Sequence, residues 1–274
     1  MTDQQPYVLG TGVDEFERLG LQARLWADAA VSAWRRAGIR PGQRALDVGC
    51  GPGFAAFDLA QLVTSSGEVV AIDESEPFLE HVEAQRITRG LPWLRARRGD
   101  VQDLDGALAG EAPFDLAYAR WLLCFVGDPE AVVNGVARAL RPGGALIVHD
   151  YFNYASMRLA PPSPSHQEAV AATVEAWNAR GGDPDVVGRL PALLDRAGFE
   201  LTHLVCHQRV ARGTDSMFAW IDTWWHTFAP KLVELGRLSS ETCATLLAEL
   251  AERRGDALAF AHCPPVYEVI AVRR

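Results

Sequence analysis

The residues best placed to do chemistry lie in Ala45-Leu46-Asp47-Val48-Gly49-Cys50-Gly51-Pro52-Gly53-Phe54. An apolar run leads into three glycines at alternate positions, and a helix-permissive segment follows to Leu62. This reads as a strand, a tight turn and a helix N-terminus. Glycine suits a backbone that must take positive φ or let a ligand approach closely. A helix start leaves N–H groups free to meet that ligand. The spacing is D-x-G-x-G-x-G rather than the dinucleotide G-x-G-x-x-G, because Gly53 follows Gly51 by two residues and not three. Asp47 is an acid inside an apolar run, and burying it is costly without donors. The glycine turn or a ligand's ammonium group can supply them. Asp73 stands 22 positions after Gly51. An acid about 20 residues past such glycines accepts hydrogen bonds from a ribose diol and disfavours a 2′-phosphate. A helix-capping role is the alternative.

The elements that must position these residues alternate. An amphipathic helix is expected from Asp14 to Arg36, with Phe16, Leu19, Ala23, Trp26 and Ala30 at three- and four-residue steps. Strands are expected at the glycine turn, at Glu68–Asp73, Leu94–Arg98, Phe114–Ala119 and Ala145–His149. Asp128 and Pro129 open the helix before the last of these, and Arg141-Pro142-Gly143-Gly144 stops it. Alternation of this kind predicts an α/β fold, a doubly wound and mostly parallel sheet with helices on both faces. Residues 152–187 depart from the pattern: Pro161-Pro162-Ser163-Pro164-Ser165 reads as a loop before a helix near Gln167–Arg180. The core resumes over 188–213, with a helix near Gly188–Ala197 and a strand near Glu200–Cys206. A second helical insertion fills 214–261, where Pro230 is expected to interrupt an aromatic-rich helix and a second helix begins at Ser239. Residues 262–274 hold the last core strand, Val266–Val272. The chain thus divides into an N-terminal arm and helix (1–40), a cofactor-binding core (41–151) and two insertions read as a lid over the strand C-termini.

The run Leu46 to Gly53 resembles motif I of class I S-adenosylmethionine-dependent methyltransferases of the bacterial small-molecule type. The resemblance covers about residues 40–150, and the rest by general layout. It implies S-adenosylmethionine as cofactor and S-adenosylhomocysteine as product. The expected cofactor-binding residues are Asp47, Gly49, Cys50, Gly51 and Gly53, then Asp73 with Glu74 and Phe78, then Asp100 at the adenine amino group with Val101 against the ring. Ala119 and Arg120 end the fourth strand, beside the methionine end. Many such enzymes carry an N-terminal Tyr…Glu-x-x-Arg-Leu-x-x-Gln helix over the cofactor. Tyr7 and Glu17-Arg18-Leu19-Gly20-Leu21-Gln22 echo it imperfectly, which adds Tyr7, Arg18 and Gln22. A guanidinium suits the methionine carboxylate. From spacing alone, Arg18 and Gln22 fit a solvated helix stripe, Asp100 a turn and Arg120 a surface ion pair.

Methyl transfer asks a protein chiefly to align nucleophile, carbon and sulfur and to exclude water, which can contribute on the order of 7–11 kcal/mol. A general base adds ~10²–10⁴-fold where the nucleophile has a proton to lose. His149, Asp150 and Tyr151, at the end of the fifth strand, are the catalytic candidates, as base or substrate anchor; a structural histidine is the plain alternative. His166 and His226 are weaker candidates. Trp177, Trp224 and Trp225 read as core of the insertions, or as a stacking platform for a flat or apolar acceptor if exposed.

Other chemistries find less support. No [DN]-P-P-[FYW] follows the fourth strand, where Ala119-Arg120-Trp121-Leu122 stands, and no Pro-Cys nucleophile is present. No metal site is expected: no His, Cys and acid cluster has metal spacing, and His203 and His207 are too far apart in a strand to chelate. An NAD-dependent oxidoreductase is the alternative enzyme, opposed by the glycine spacing and the lack of Tyr-x-x-x-Lys; a non-catalytic cofactor-binding module is the other reading. The 274 residues carry a net charge of −9, which disfavours nucleic acid as a partner, the short basic run Arg95 to Arg98 notwithstanding. No apolar run reaches membrane length and no signal peptide is expected at the N-terminus. Five cysteines without a C-x-x-C pair fit a reducing cytoplasm. The expected partner is a small-molecule substrate, with a homodimer left open.

Overall fold

The structure, a computed structural model, describes residues 12–274. Tyr7 lies outside the described residues. The elements in chain order are α1 (Val13–Leu25), α2 (Ala27–Arg36), β1 (Arg44–Val48), α3 (Phe54–Val63), β2 (Glu68–Asp73), α4 (Glu76–Thr88), β3 (Leu94–Arg98), α5 (Leu104–Ala107), β4 (Phe114–Arg120), α6 (Pro129–Ala139) and β5 (Leu140–Tyr151). Then come β6 (Arg158–Ala160), α7 (Pro164–Ala179), α8 (Leu190–Arg196), β7 (Phe199–His207), β8 (Val210–Arg212), α9 (Ser216–Glu234), α10 (Ser240–Arg253), β9 (Phe260–His262) and β10 (Val266–Arg273).

The chain forms two compact units. One, the sheet unit, takes residues 26–150, 186–205 and 267–274; the other, the helical unit, takes residues 12–25, 151–185 and 206–266. The large sheet has seven strands in the order β3-β2-β1-β4-β5-β10-β7. β1 pairs in parallel with β2 on one side and β4 on the other, so strand order reverses between β1 and β4. This is the topological switch point, where open α/β sheets place their ligands. The strands at the switch are apolar on both faces: Ala45, Leu46 and Val48 of β1 and Val69 to Ile72 of β2 are all buried. Ala33 and Trp34 of α2 and Ala56, Leu59, Ala60 and Val63 of α3 share one core cluster with Tyr118 and Ile147.

The helical unit holds a second, antiparallel sheet of order β6-β9-β8 that the sequence did not signal. Its strands are three residues long, too short to display a period of two. Four expected boundaries are corrected. The helix expected over 14–36 breaks at Trp26, whose φ of −110° and ψ of 10° leave the helix, and the chain changes unit there. The indole of Trp26 is buried edge-on to Trp121, centroids 5.7 Å apart, which holds the break. The segment Arg141 to Gly144 does follow the end of the helix, but the strand expected from Ala145 already begins at Leu140: Phe114 pairs with Leu140 and Leu116 with Ala145, so the extra residues form a bulge. Pro230 does not interrupt α9, because burial of Phe228, Ala229 and Leu232 around it offsets a proline cost of about 3 kcal/mol. Finally α7 begins inside the expected Pro-Ser loop, with Pro164 at the first helical position, where its missing N–H is harmless.

Ser163 caps α7. Its hydroxyl accepts from the His166 N–H at 3.0 Å and donates to the Glu249 carboxylate of α10. Loss of such a cap costs about 1 kcal/mol. Ser163→Ala is therefore expected to lower the melting temperature by about 2–4 °C, read by differential scanning calorimetry. An unchanged melting temperature would remove the cap from the account.

Candidate functional site

The site lies in the sheet unit, at the turn between β1 and α3. Gly49, Gly51 and Gly53 all take positive φ, at 67°, 53° and 82°. Two of them are needed for different reasons. A Cβ on Gly49 would meet Leu122 Cδ1 at 2.5 Å, so Gly49 permits close packing. A Cβ on Gly51 would meet nothing within 4 Å, so its flank is open. The Cys50 N–H donates to the Ile72 carbonyl at 2.9 Å, and the Gly51 N–H to Asp73 Oδ2 at 2.8 Å, tying the turn to β2.

Asp47 sits beneath this turn, 3% exposed. The Ala56 N–H in the first turn of α3 favours its charged form, and Gly53, the capping residue of α3, has no side chain to offer. Its Oδ2 has no hydrogen-bond partner. Burial pushes its carboxyl up to about 7; the Arg120 guanidinium pulls it down, Asp73 pushes it further up and the Ala56 N–H opposes. An orphaned, buried acid oxygen under an open glycine flank suits a cation.

Asp73 accepts from Gly51 and, through Oδ1, from the Ser75 N–H at 2.9 Å. It does cap the entry to α4, and each oxygen keeps a second lone pair for a hydroxyl donor. Burial raises its carboxyl against the Ser75, Gly51 and Glu74 N–H groups. Glu74 is exposed, and its carboxyl is raised by burial and then by Asp73 and Asp100. Asp100 Oδ1 accepts from the Gln102 N–H at 2.8 Å and begins a short 3-10 turn, with Val101 buried beside it. Phe78 is buried in α4, and Ala119 in β4. Arg120 lies 5.2 Å from the Trp121 ring centroid and 6.0 Å from that of Tyr118.

The three catalytic candidates part company, because successive strand residues face opposite ways. His149 places Nδ1 3.1 Å from the Tyr118 hydroxyl and Nε2 3.6 Å from Glu268 Oε2. Asp150, fully buried, accepts from the Cys124 N–H at 3.1 Å and fixes the loop after β4. Tyr151 belongs to the helical unit, its ring 5.2 Å from Tyr154.

Arg18 and Gln22 also belong to the helical unit. Arg18, 5% exposed, forks onto Glu15 at 2.6 and 2.7 Å and reaches Gln22 Oε1 at 3.3 Å, which also accepts from Trp220 Nε1 at 2.9 Å. They are thus no solvated stripe, and the carboxylate on Arg18 is the chain's own. Beside them a small cavity, with room for about one water molecule, is lined by Tyr151, Tyr154, Met157, Trp220 and Trp224. Trp225 is fully buried. His166 is buried edge-on to it, and burial lowers its imidazole to about 3, so it stays neutral. Sequence reasoning missed Glu268, which is 0% exposed. Its signal was present: an acid within Val266-Tyr267-Glu268-Val269-Ile270, the same anomaly that singled out Asp47.

A family profile described as a methyltransferase domain matches residues 39–209. The chain belongs to this family, the class I S-adenosylmethionine-dependent methyltransferases. It is 39% identical to the nocamycin O-methyltransferase of Saccharothrix syringae over 107 residues, 39% of this chain and 37% of that one. It is 33% identical to the trans-aconitate 2-methyltransferase of Methylobacterium radiotolerans over 155 residues, 57% of this chain and 54% of that one. The match thus spans about half, or less, of the length of these relatives. In fold the chain is similar to the crystal structure of a putative methyltransferase from Bacillus halodurans, with a TM-score of 0.60, 18% identity, and 89% of this chain and 98% of that one covered. The family profile, over residues 39–209, takes in the glycine turn and the acids around it; α9 and α10 lie beyond it.

Asp47 makes the site's protonation testable. Its folded value of about 7 stands above the ordinary 3.8, so its contribution to stability is fully present below pH 3.8 and is lost as pH rises through about 7. Asp47→Asn should therefore raise the melting temperature of the ligand-free protein by several degrees at pH 8 and by much less at pH 5. Equal shifts at both pH values, followed by differential scanning fluorimetry, would contradict the assignment.

Proposed function

We propose that this chain transfers the methyl group of S-adenosylmethionine to a small-molecule acceptor, leaving S-adenosylhomocysteine. The observation that carries this reading is the glycine turn: an open flank at Gly51, with the buried, orphaned Asp47 oxygen beneath it and Asp73 bonded to the same backbone. In this reading Asp73 receives the ribose diol on its remaining lone pairs, and Asp100 the adenine amino group, with Val101 against the ring. The bare backbone of Gly51 lets the nucleoside lie against the turn, and Asp47 with Arg120 meets the charged methionine end. The cofactor, when bound, supplies a methyl group already activated by its positive sulfur. The chain's own part is to orient it, to exclude water and to leave room for the acceptor's nucleophilic atom in line behind the carbon.

The acceptor class rests on two supports. The relatives act, by their names, on nocamycin and on trans-aconitate. The helical unit carries a cluster of aromatic rings, Tyr151, Tyr154, Trp177 and Trp224, whose faces suit a flat, apolar acceptor such as a secondary metabolite or a quinone-like ring. An NAD-dependent oxidoreductase is not favoured, since the glycine spacing lacks the dinucleotide form.

Isothermal titration calorimetry tests the cofactor. S-Adenosylmethionine and S-adenosylhomocysteine are expected to bind, and NAD not to bind. Gly51→Ala adds a methyl group to the open flank at a backbone cost of about 1–2 kcal/mol, so it should still fold and lose at least tenfold in affinity. Asp73→Asn should lose a similar factor. Undiminished affinity in both variants would overturn the placement of the nucleoside.

A further inference from the structure

The end of β4 carries two anomalies side by side. The first is Arg120, half-buried, whose guanidinium makes no hydrogen bond or ion pair with the described residues. Its close contacts are aromatic rings, that of Trp121 at 5.2 Å and that of Tyr118 at 6.0 Å. A cation partly withdrawn from water, with five N–H donors and no acceptor in the chain, is costly unless a ligand supplies one. The second is Trp121, whose φ of 48° puts a bulky residue in the left-handed region. Such residues rarely take this shape, and the surrounding structure must then hold it. Here the Trp121 N–H donates to the His149 carbonyl at 2.8 Å, and the ring meets the buried Trp26 edge-on, centroids 5.7 Å apart. The next residue, Leu122, lies so close to Gly49 that a Cβ there would be 2.5 Å from Leu122 Cδ1.

We propose that Trp121 is a positioning residue: its left-handed turn brings its ring against Arg120 and aims that guanidinium at the methionine carboxylate of the cofactor. The proposal rests on the cofactor reading for what Arg120 meets, and on the geometry above for how Arg120 is held. Along a strand, neighbouring side chains face opposite ways, so extended backbone after Arg120 would carry the indole to the other face. The positive φ breaks that alternation, and the two side chains meet. A guanidinium within about 6 Å of an indole centroid is attracted by the ring, and Trp is the strongest such partner. Stacking engages the flat face of the cation and leaves the N–H fork at its edge for a carboxylate. Trp26 and the His149 carbonyl fix the indole in turn.

A merely structural role for Trp121 leads elsewhere. Loss of the ring would then loosen the contact of Leu122 with Gly49 and weaken every ligand of the glycine turn alike. Positioning of Arg120 matters only to ligands that carry the amino-acid end. S-Adenosylhomocysteine has that end and 5′-methylthioadenosine lacks it, while both share the nucleoside. Substitution can separate ring from bulk as well: leucine has no face for a cation, and phenylalanine keeps a smaller one.

The test has a ligand-free arm and a ligand arm. NMR follows the ring-current displacement of the Arg120 δ protons in the ligand-free wild type, Trp121→Phe and Trp121→Leu. The displacement is expected to shrink in Trp121→Phe and to vanish in Trp121→Leu. A displacement unchanged in Trp121→Phe would assign it to Tyr118 and overturn the proposal, a result readable even where Trp121→Leu fails to fold. Calorimetry then compares the two nucleosides. S-Adenosylhomocysteine is expected to bind about threefold more weakly to Trp121→Leu, and Trp121→Phe to recover part of the loss, while 5′-methylthioadenosine binds all three proteins alike. In an Arg120→Gln background, Trp121→Leu should weaken S-adenosylhomocysteine no further. Equal losses for both nucleosides, or the same loss without Arg120, would overturn the proposal. A displacement that follows the ring, in a protein that binds neither nucleoside, would leave the hold of Trp121 on Arg120 standing and remove the cofactor reading.

Discussion

The arrangement at the switch point depends on one buried carboxylate. Asp47 leaves β1 inside an apolar layer, and burial raises its carboxyl against the pull of the Arg120 guanidinium and the Ala56 N–H. It gives the Gly49–Gly53 turn an acidic floor. Because Gly53 and Gly49 take backbone shapes that other residues resist, the turn above is bare. A bare turn over a reluctant acid is poorly stabilised by itself, and this is the kind of local cost found where a ligand completes a structure.

Around this floor the rest of the sheet unit supplies restraint. Asp73 joins β2 to the turn through the Gly51 N–H, and Asp150 holds the loop after β4 through the Cys124 N–H. These are carboxylates spent on backbone donors, a charge-assisted bond that keeps a loop in one shape. The helical unit shows comparable economy: the fork of Arg18 on Glu15 and the bond from Trp220 to Gln22 tie α1 to α9 within that unit.

Much of this was legible in the residues. The glycine turn, the parallel alternation and the acids at the strand ends follow from local rules, because turn glycines and apolar strands carry their reasons in a few neighbouring residues. Asp128 as the cap of α6 was readable for the same cause. What escaped depends on distant partners. Trp26 breaks a helix that its periodicity supports, because Trp121, 95 positions away, receives its ring. Pro230 stays within α9 because the tertiary burial of its neighbours outweighs the local penalty. The partners of His149 could not be foreseen, since Tyr118 and Glu268 meet it only through the strand order β4-β5-β10. Glu268 itself was readable as an acid in an apolar strand, and was passed over because no motif surrounds it.

The most direct measurement is a crystal structure of the chain grown with S-adenosylhomocysteine. The account predicts the nucleoside lying on the open flank of Gly51, its ribose hydroxyls on Asp73 and its ammonium group over the Asp47 carboxylate. A turn that stays empty at saturating ligand, or that holds a pyrophosphate in that place, would contradict it.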